Sequence, residues 1–277
     1  MKQRISYQGI AGAYSFSACQ KAAPDYEPLA CTDFLSAIKA VQNGEAECAM
    51  LPVNNKIAGR VADIHRLIPD SGLFIVGEYY LPIQHCLLGV PGTNIDDIKI
   101  VSSHVHALPQ CEKYIAEHPS WSKLVSGDTA TAAFDVSQKQ DKTRAAIASP
   151  DAAKIYELKI LADNIADVTG NVTRFIIMAP ETSYAPKYLH DVKTSLLFKI
   201  KEGGPGQLYN ALGGFAKNSI NMTTLESYQD DRLEISSFYC EVERHIDDPH
   251  MKAAMEELSK YAEPKIIGVY PAHKIGV

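Results

Sequence analysis

The sequence predicts an α/β protein: two α/β lobes with a cleft between them, followed by a smaller βαββαβ module. Three observations carry this. Over roughly the first 180 residues, short apolar runs alternate with stretches of helical periodicity. Several of those runs empty into Gly, Ser, Thr or Asn where a helix would begin, which is where open α/β sheets bind ligands. After a polar, proline-containing linker at 182–192 the order changes to strand, helix, two strands, helix, strand. The chain has 277 residues, 46% hydrophobic and 22% charged, an ordinary globular composition that favours two domains over one. A formal net charge of −6 gives no general attraction to nucleic acid or to an anionic membrane. No apolar run approaches membrane-spanning length. Met1-Lys2-Gln3-Arg4-Ile5 leads straight into an alternating segment, so secretion is not indicated and a cytoplasmic location is expected. The six cysteines are scattered without CxxC or CxxH pairs and read as reduced, mostly buried thiols.

Ile5-Ser6-Tyr7 reads as a strand. It leads into a glycine-rich turn, Gly9 to Ser15, and a small-residue helix from Phe16 to Ala22. Backbone N–H groups and the helix dipole would favour an anion there, with Ser15 adding a hydroxyl; a plain tight turn is the alternative. The spacing is not a dinucleotide fingerprint, since a third glycine and a downstream acid are missing. Asp33 to Asn43 has helical spacing (Phe34, Leu35, Ile38, Val41), with Gly44 at a C-cap position. A buried strand, Cys48 to Val53, opens into Asn54-Asn55-Lys56-Ile57-Ala58-Gly59-Arg60, which places two amides and two cations at a strand end. A short helix is expected from Val61 to Ile68, strands over 73–78 and 79–83, and strand character through 84–90.

Ile98 to Val101 is a further strand. It runs into Ser102-Ser103-His104-Val105-His106, where Ser103 is placed as the N-cap of a helix reaching Ile115. Two histidines at i, i+2 would not share a helix face, and no third ligand stands nearby to suggest a metal. Lys123 to Val125, Gly127-Asp128-Thr129-Ala130 and the following alanines repeat strand, polar turn and small-residue helix. Arg144 to Ser149 is a buried strand before a helix from Pro150 to Tyr156. A cleft between such lobes would be lined by donors and few acids, and would suit a small anion such as a carboxylate. Asn171-Val172-Thr173-Arg174-Phe175 is a loop feeding a buried strand. In a strand, Arg174 would point opposite to Thr173 and Phe175; a loop or strand-edge conformation would let both reach one pocket. Beyond the linker, strands at 195–200, 220–227, 235–242 and 266–270, with helices at 208–217 and 251–261 and a turn at Asp230-Asp231, specify a ferredoxin-like module.

Taken in order, these pieces resemble bacterial prephenate dehydratase followed by a regulatory ACT domain, over essentially the whole chain. The matching marks are Tyr7-Gln8-Gly9 with Gly12 to Ser15, Asn43 to Ala46, Gly77-Glu78, Leu81 to Ile83, Ser103-His104, Gln110-Cys111, Asp128 to Ala130, Ala146 to Ser149 and Asn171 to Phe175. Lys193 to Ser195, Pro205-Gly206, Ile220-Asn221 and Leu225 to Ser227 match in the ACT part. The resemblance implies two lobes like those of periplasmic binding proteins. They comprise a catalytic domain at 1–181 (lobe 1 about 1–76 plus 165–181, lobe 2 about 77–164) and an ACT domain at 193–277. It implies conversion of prephenate to phenylpyruvate, water and carbon dioxide in phenylalanine biosynthesis, with no metal and no organic cofactor.

By the same resemblance Thr173, Asn55, Ser103 and Gln110 are catalytic, and Arg174, Ser15, Thr129, Ala130 and Phe175 bind substrate. Phenylalanine would be the effector, held by Pro205, Gly206, Gln207, Leu208, Asn221, Glu226 and Ser227. A homodimer or homotetramer through the ACT domains is implied. A planar guanidinium suits a carboxylate, and a threonine hydroxyl suits a hydrogen bond to a departing oxygen. Departures from the pattern are Asn54 and Lys56, where the family has Glu and Ser, and Gln207, Tyr228 and Gln229 near the effector site. Three alternatives stay open: a non-aromatising prephenate decarboxylase, an arogenate dehydratase, and a non-catalytic sensor of aromatic metabolites.

Overall fold

A computed structural model of the chain describes residues 2–201, 203–229 and 235–273. They fall into two compact units, one running to Ile64 and from Tyr79 to Phe175, the other comprising His65–Glu78 and Ile176 onward. The turn expected at Asp230-Asp231 lies outside the described residues.

The first unit opens with β1 (Arg4–Gln8), α1 (Tyr14–Ala22), β2 (Glu27–Cys31), α2 (Phe34–Gln42), β3 (Cys48–Asn55) and the two-residue β4 (Gly59–Arg60). β1 lies between β2 and β3, parallel to both. Ile5 and Tyr7 of β1 and Ala49, Met50 and Leu51 of β3 are fully or almost fully buried, as a strand covered on both faces requires. β2 carries no sequence signal. Glu27-Pro28-Leu29-Ala30-Cys31 lacks alternation, and its proline is tolerated because the strand is at an edge. α1 begins two residues earlier than the sequence suggested, because Ala13, not a polar side chain, takes the N-cap position. α2 is capped by Asp33, whose carboxylate accepts the Ser36 N–H at 2.7 Å. Then follow α3 (Ala62–Leu67) and β5 (Phe74–Pro82), one continuous strand where two runs were expected.

A second sheet of this unit comprises β6 (Cys86–Gly89), β7 (Ile100–His104), β8 (Ser122–Ser126), β9 (Arg144–Ala148) and β10 (Lys159–Ala162), in the order β10-β6-β9-β7-β8. Its helices are α4 (Glu112–Ala116), α5 (Thr129–Lys139) and α6 (Pro150–Ile155). Strand alternation splits its apolar residues between two cores. Leu87, Ala145 and Ile147 pack with Val101, Ile115 and Trp121; Leu88, Ala146 and Ala148 pack with Ala132, Val136 and Ala152. The helix expected from Ser103 to Ile115 is instead the end of β7, a 3-10 turn at Leu108–Cys111 and the short α4. Ser103 is therefore not an N-cap. β7 pairs with both β8 and β9, and the buried Ser103 hydroxyl donates to the Ile147 carbonyl at 2.6 Å.

β11 (Val172–Ala179) begins in the first unit and ends in the second. The second unit continues with β12 (Val192–Ile200), α7 (Gln207–Lys217), β13 (Met222–Gln229), β14 (Ile235–Val242), α8 (Pro249–Tyr261) and β15 (Ala262–Pro271). This is the expected βαββαβ order, with antiparallel pairing in the sequence β13-β14-β12-β15. Leu196, Phe198, Phe238, Cys240 and Val242 face Ala211 and Phe215 of α7 and Met251, Ala254 and Leu258 of α8. The Phe198 and Phe238 rings stack at 5.1 Å. The opposite face buries Glu241 among the hydroxyls of Tyr239, Tyr270 and Thr224. The units do not divide at the expected linker. Residues 65–78 and 176–181 group with the C-terminal part, where Ile75 of β5 pairs in parallel with Gly268 of β15 and Lys193 makes a buried ion pair with Glu78 at 2.9 Å.

Candidate functional site

A cavity of about 730 Å³ within the first unit opens beside the ends of β1, β3 and β7 and the starts of α1, α2 and α5. Its position follows the rule that open α/β sheets leave a crevice at strand ends, where helices begin. Asn55 and Thr173 meet there although 118 residues apart: Asn55 Nδ2 donates to Thr173 Oγ1 at 2.8 Å. The orientation of the Asn55 amide is fixed by its own oxygen, which accepts the backbone N–H groups of Ile57 at 3.0 Å and Ala58 at 2.7 Å. Thr173 Oγ1 is thus an acceptor toward Asn55, and its hydroxyl proton remains to be given to something in the cavity. Thr173 is 9% exposed, so that proton is presented in a largely dry setting.

Two helix starts face the same space. Ser15, in the first turn of α1, and Thr129, the first residue of α5, are both buried to 7% exposure and line the cavity. α1 has no side-chain cap, so the first-turn N–H groups near Ser15 are left for a ligand or solvent. Phe175 also lines the cavity, while Ala130 is fully buried in α5 behind it. Arg174, on the alternate face of β11, is half-buried and is not among the lining residues. Strand alternation governs this pair, so the loop conformation that would bring Thr173 and Arg174 together is not adopted.

The expectation of few acids also changes. Asp33, Asp63 and Asp128 line the cavity, and among the described residues Arg60 is the lysine or arginine that lines it. Asp33 and Asp128 are helix caps: Asp128 accepts the Thr131 N–H at 2.6 Å. The Ser36 N–H and hydroxyl hold the Asp33 carboxyl below the usual carboxylate range. His104 and His106 both line the cavity, because residues 104–107 form a turn and not a helix; their rings meet edge-on at 5.2 Å. Burial pushes the His104 pKa down, with the neighbouring His106 adding to this, so the imidazole is neutral at pH 7. The sequence signalled Arg60 and His104 only as members of polar strand-end stretches. The signal for Asp33 and Asp128 was their place just before a helix; Asp63 lies in the first turn of α3.

Ser103 and Gln110 are not brought to this cavity. Gln110 lies in the 3-10 turn and joins a chain of side chains behind it. Tyr14 Oη is 2.6 Å from the Gln84 carbonyl and 2.9 Å from His85 Nδ1. His85 Nε2 is 3.4 Å from Gln110 Oε1, which accepts Asn171 Nδ2 at 2.8 Å. Gln110 Nε2 donates to the His106 carbonyl at 2.7 Å. Burial lowers the His85 pKa and raises that of Tyr14 well above its ordinary value. Gln110 lines a smaller recess of about 300 Å³ with Ile57, Pro109 and Val168, which shares Ala58 and His106 with the main cavity. Lys56 is exposed, and its ammonium donates to the Gly170 carbonyl at 3.2 Å, not toward the main cavity.

The family model described as "Prephenate dehydratase" matches residues 5–183. A bifunctional N-acyl-homoserine lactone acylase/prephenate dehydratase of Komagataeibacter europaeus is 42% identical over 270 residues, covering 97% of this chain and 95% of that protein. A chloroplastic arogenate dehydratase/prephenate dehydratase of Arabidopsis thaliana is 40% identical over 286 residues, covering 98% and 72%. Among solved structures, a prephenate dehydratase from Arthrobacter aurescens in complex with L-Phe superposes with a TM-score of 0.89 at 28% identity, covering 97% of this chain and 90% of that one.

Proposed function

Because the chain belongs to the prephenate dehydratase family, we propose that its 730 Å³ cavity binds prephenate and that Thr173 assists the departing ring hydroxyl. The reaction is the decarboxylative dehydration of prephenate to phenylpyruvate. The electron pair of the breaking carbon–carboxylate bond becomes a ring π bond. The carbon–oxygen bond at the far side of the ring breaks with its pair going to oxygen, and one proton converts that oxygen to water. Aromatisation drives both cleavages, so no strong base is needed. What the protein must supply is a place for two carboxylates and a donor for the leaving oxygen.

The observation that carries this reading is the direction of the Asn55–Thr173 hydrogen bond. Two backbone N–H groups hold the Asn55 oxygen, so its NH₂ faces Thr173 and the threonine proton points elsewhere. A donor aimed at charge that develops on a leaving oxygen lowers the barrier more than it tightens ground-state binding. Threonine is too weak an acid to lose its proton outright at neutral pH; it donates a hydrogen bond or relays a proton. Ser15, Thr129 and the first-turn N–H groups of α1 meet a carboxylate, and Phe175 offers the ring an apolar wall. Ser103 and Gln110 act from behind the cavity, Ser103 by tying β7 to β9 and Gln110 by holding Asn171 and the His106 turn. Purified protein incubated with prephenate and followed for phenylpyruvate by its absorbance in alkali tests the assignment. A non-aromatic keto acid would mean a decarboxylase, and faster turnover of arogenate an arogenate dehydratase.

The Komagataeibacter relative favours a second activity on the same fold. The apolar recess of Ile57, Pro109 and Val168, open to the main cavity through Ala58 and His106, would take an acyl chain. Incubation with an N-acyl-homoserine lactone and measurement of the freed amine decides this; no amine release removes it.

The second unit is proposed to be an ACT domain that binds phenylalanine and pairs copies of a cytoplasmic homodimer or homotetramer. Its βαββαβ sheet supports this, as does the L-Phe complex of the Arthrobacter protein. Pro205 and Gly206 stand exposed before α7, with Gly206 at φ +80° as its N-cap. Gln207 and Leu208 are half-buried at its start. Asn221 precedes the edge strand β13, which carries Glu226 and Ser227. Asn221 Nδ2 donates to Glu243 at 2.6 Å.

A further inference from the structure

Two side chains on the cavity wall, His104 and Asp128, each keep one uncommitted atom, and the two atoms are of opposite kind. Sheet register brings the pair together. β7 runs parallel to β8 with His104 beside Ser126, and the chain then turns through Gly127 and Asp128 into α5. The imidazole therefore lies at the start of that helix, close enough for the Asp128 carboxylate to act on it. His104 Nδ1 accepts the His106 N–H at 3.4 Å, which leaves the proton of the neutral ring on Nε2. Asp128 gives Oδ1 to the Thr131 N–H at 2.6 Å as the cap of α5, and Oδ2 is left over. Among the described residues nothing accepts the His104 Nε2–H and nothing donates to Asp128 Oδ2. One corner of the cavity thus offers a donor and a carboxylate acceptor side by side.

The corner lies away from the leaving group. Thr173 and Asn55 sit on the neighbouring strands β11 and β3 of one sheet, whereas His104 and Asp128 come from β7 of the other sheet and the helix start that follows β8. In prephenate the hydroxyl that leaves and the keto-acid side chain are on opposite carbons of the ring. A ligand that offers its hydroxyl to Thr173 therefore extends its side chain toward the other sheet. Thr129, next to Asp128, is 7% exposed and lines the cavity, so its hydroxyl is placed for the side-chain carboxylate. The carbon beside that carboxylate is the one position at which prephenate and arogenate differ. Prephenate has a carbonyl oxygen there, which only accepts; arogenate has an ammonium, which only donates. Donor meets acceptor if His104 takes the first and Asp128 the second. The crossed contacts would leave a desolvated polar group unmatched, which costs more than the matched bond contributes.

We propose that His104 and Asp128 are the specificity-determining pair of this cavity: the His104 Nε2–H binds the side-chain carbonyl of prephenate, and the Asp128 carboxylate binds the ammonium that replaces it in arogenate. The proposal rests on the reading of the cavity as the prephenate site. Contacts to a group that takes no part in bond breaking act alike in ground and transition states, so they change KM more than kcat. Steady-state kinetics on both substrates test it with the wild-type chain, His104→Phe, His104→Gln and Asp128→Asn. Where one substrate is not turned over, its inhibition constant against the other takes the place of KM. His104→Phe should raise the KM for prephenate about ten-fold and that for arogenate much less, with kcat within about three-fold. His104→Gln, which returns an N–H donor to the wall, should recover part of the loss. Asp128→Asn keeps the helix cap and should act the other way: KM rises about ten-fold for arogenate and falls for prephenate, whose carboxylates no longer face a like charge. A merely structural role would move both substrates together. Parallel shifts for the two substrates in His104→Phe or in Asp128→Asn, or no shift for either, remove this proposal alone if the wild-type chain is active. A wild-type chain that turns over neither substrate removes the reading of the cavity and the proposal with it.

Discussion

At the scale of single residues, the site depends on which atoms each polar side chain has already committed. Asn55 gives its oxygen to two backbone donors and its NH₂ to Thr173, which leaves the threonine one proton and one task. Thr173→Val should lower kcat on prephenate by about 10²–10³-fold with little change in substrate affinity, the cost typical of removing one aimed donor. Steady-state kinetics paired with ligand titration checks this; a valine enzyme of normal kcat would remove Thr173 from the chemistry. Thr173→Ser keeps the hydroxyl and should retain most of the rate. Thr173, Arg174 and Phe175 also show the limit of local reading. Their spacing announced opposite faces, but whether the loop or the strand would prevail depended on pairing with a distant segment.

Among elements, close backbone approach decides the packing of the second unit. α7 and α8 cross at Gly214, where an added Cβ would lie 2.7 Å from Glu257 Cβ and 2.9 Å from the Ala254 carbonyl oxygen. Alanine gains about 1 kcal/mol of helix propensity over glycine, but the carbonyl is backbone and cannot swing aside. The clash wins, so Gly214→Ala should destabilise by about 1–3 kcal/mol, read as a lower denaturation midpoint. An unchanged or raised midpoint would show that the helices separate freely. In the first unit, Asp128 caps α5 through the Thr131 N–H. Asp128→Ala should cost about 1 kcal/mol, whereas Asp128→Asn keeps the cap and should cost much less. The sequence placed the helices that begin at these caps, Asp33 for α2 and Asp128 for α5, without naming the caps themselves. It missed β2, whose only reason to be a strand is the pairing offered by β1.

For the whole molecule, buried imidazoles set the response to acid. Burial holds the folded-state pKa of His85 below its ordinary 6.5, and that of His104 likewise. The unfolded chain therefore binds protons more readily, and stability present above pH 6.5 is lost as pH falls through that value toward the folded pKa. Midpoints measured between pH 7.5 and about 5 should fall with pH. In His85→Gln the slope should be shallower, although the variant starts lower through loss of its bonds to Tyr14 and Gln110. Equal slopes in the two proteins would remove His85 as a source. Phenylalanine should raise the thermal midpoint and lower the rate on prephenate; no change in either would leave the second unit without its proposed effector.

The sequence by itself determined most of the order of strands and helices, the βαββαβ module and the polar strand ends from which the cavity is built. All of these follow from interactions within a few residues, which periodicity and capping chemistry report. Only the tertiary structure decided which strand ends converge. It paired Asn55 with Thr173, put Arg60 rather than Arg174 on the cavity wall, placed Ser103 inside a sheet and brought three aspartates to the same cavity. Sheet register makes those choices, because a one-residue shift sends every side chain to the opposite face and nothing in local spacing records the register of a distant strand.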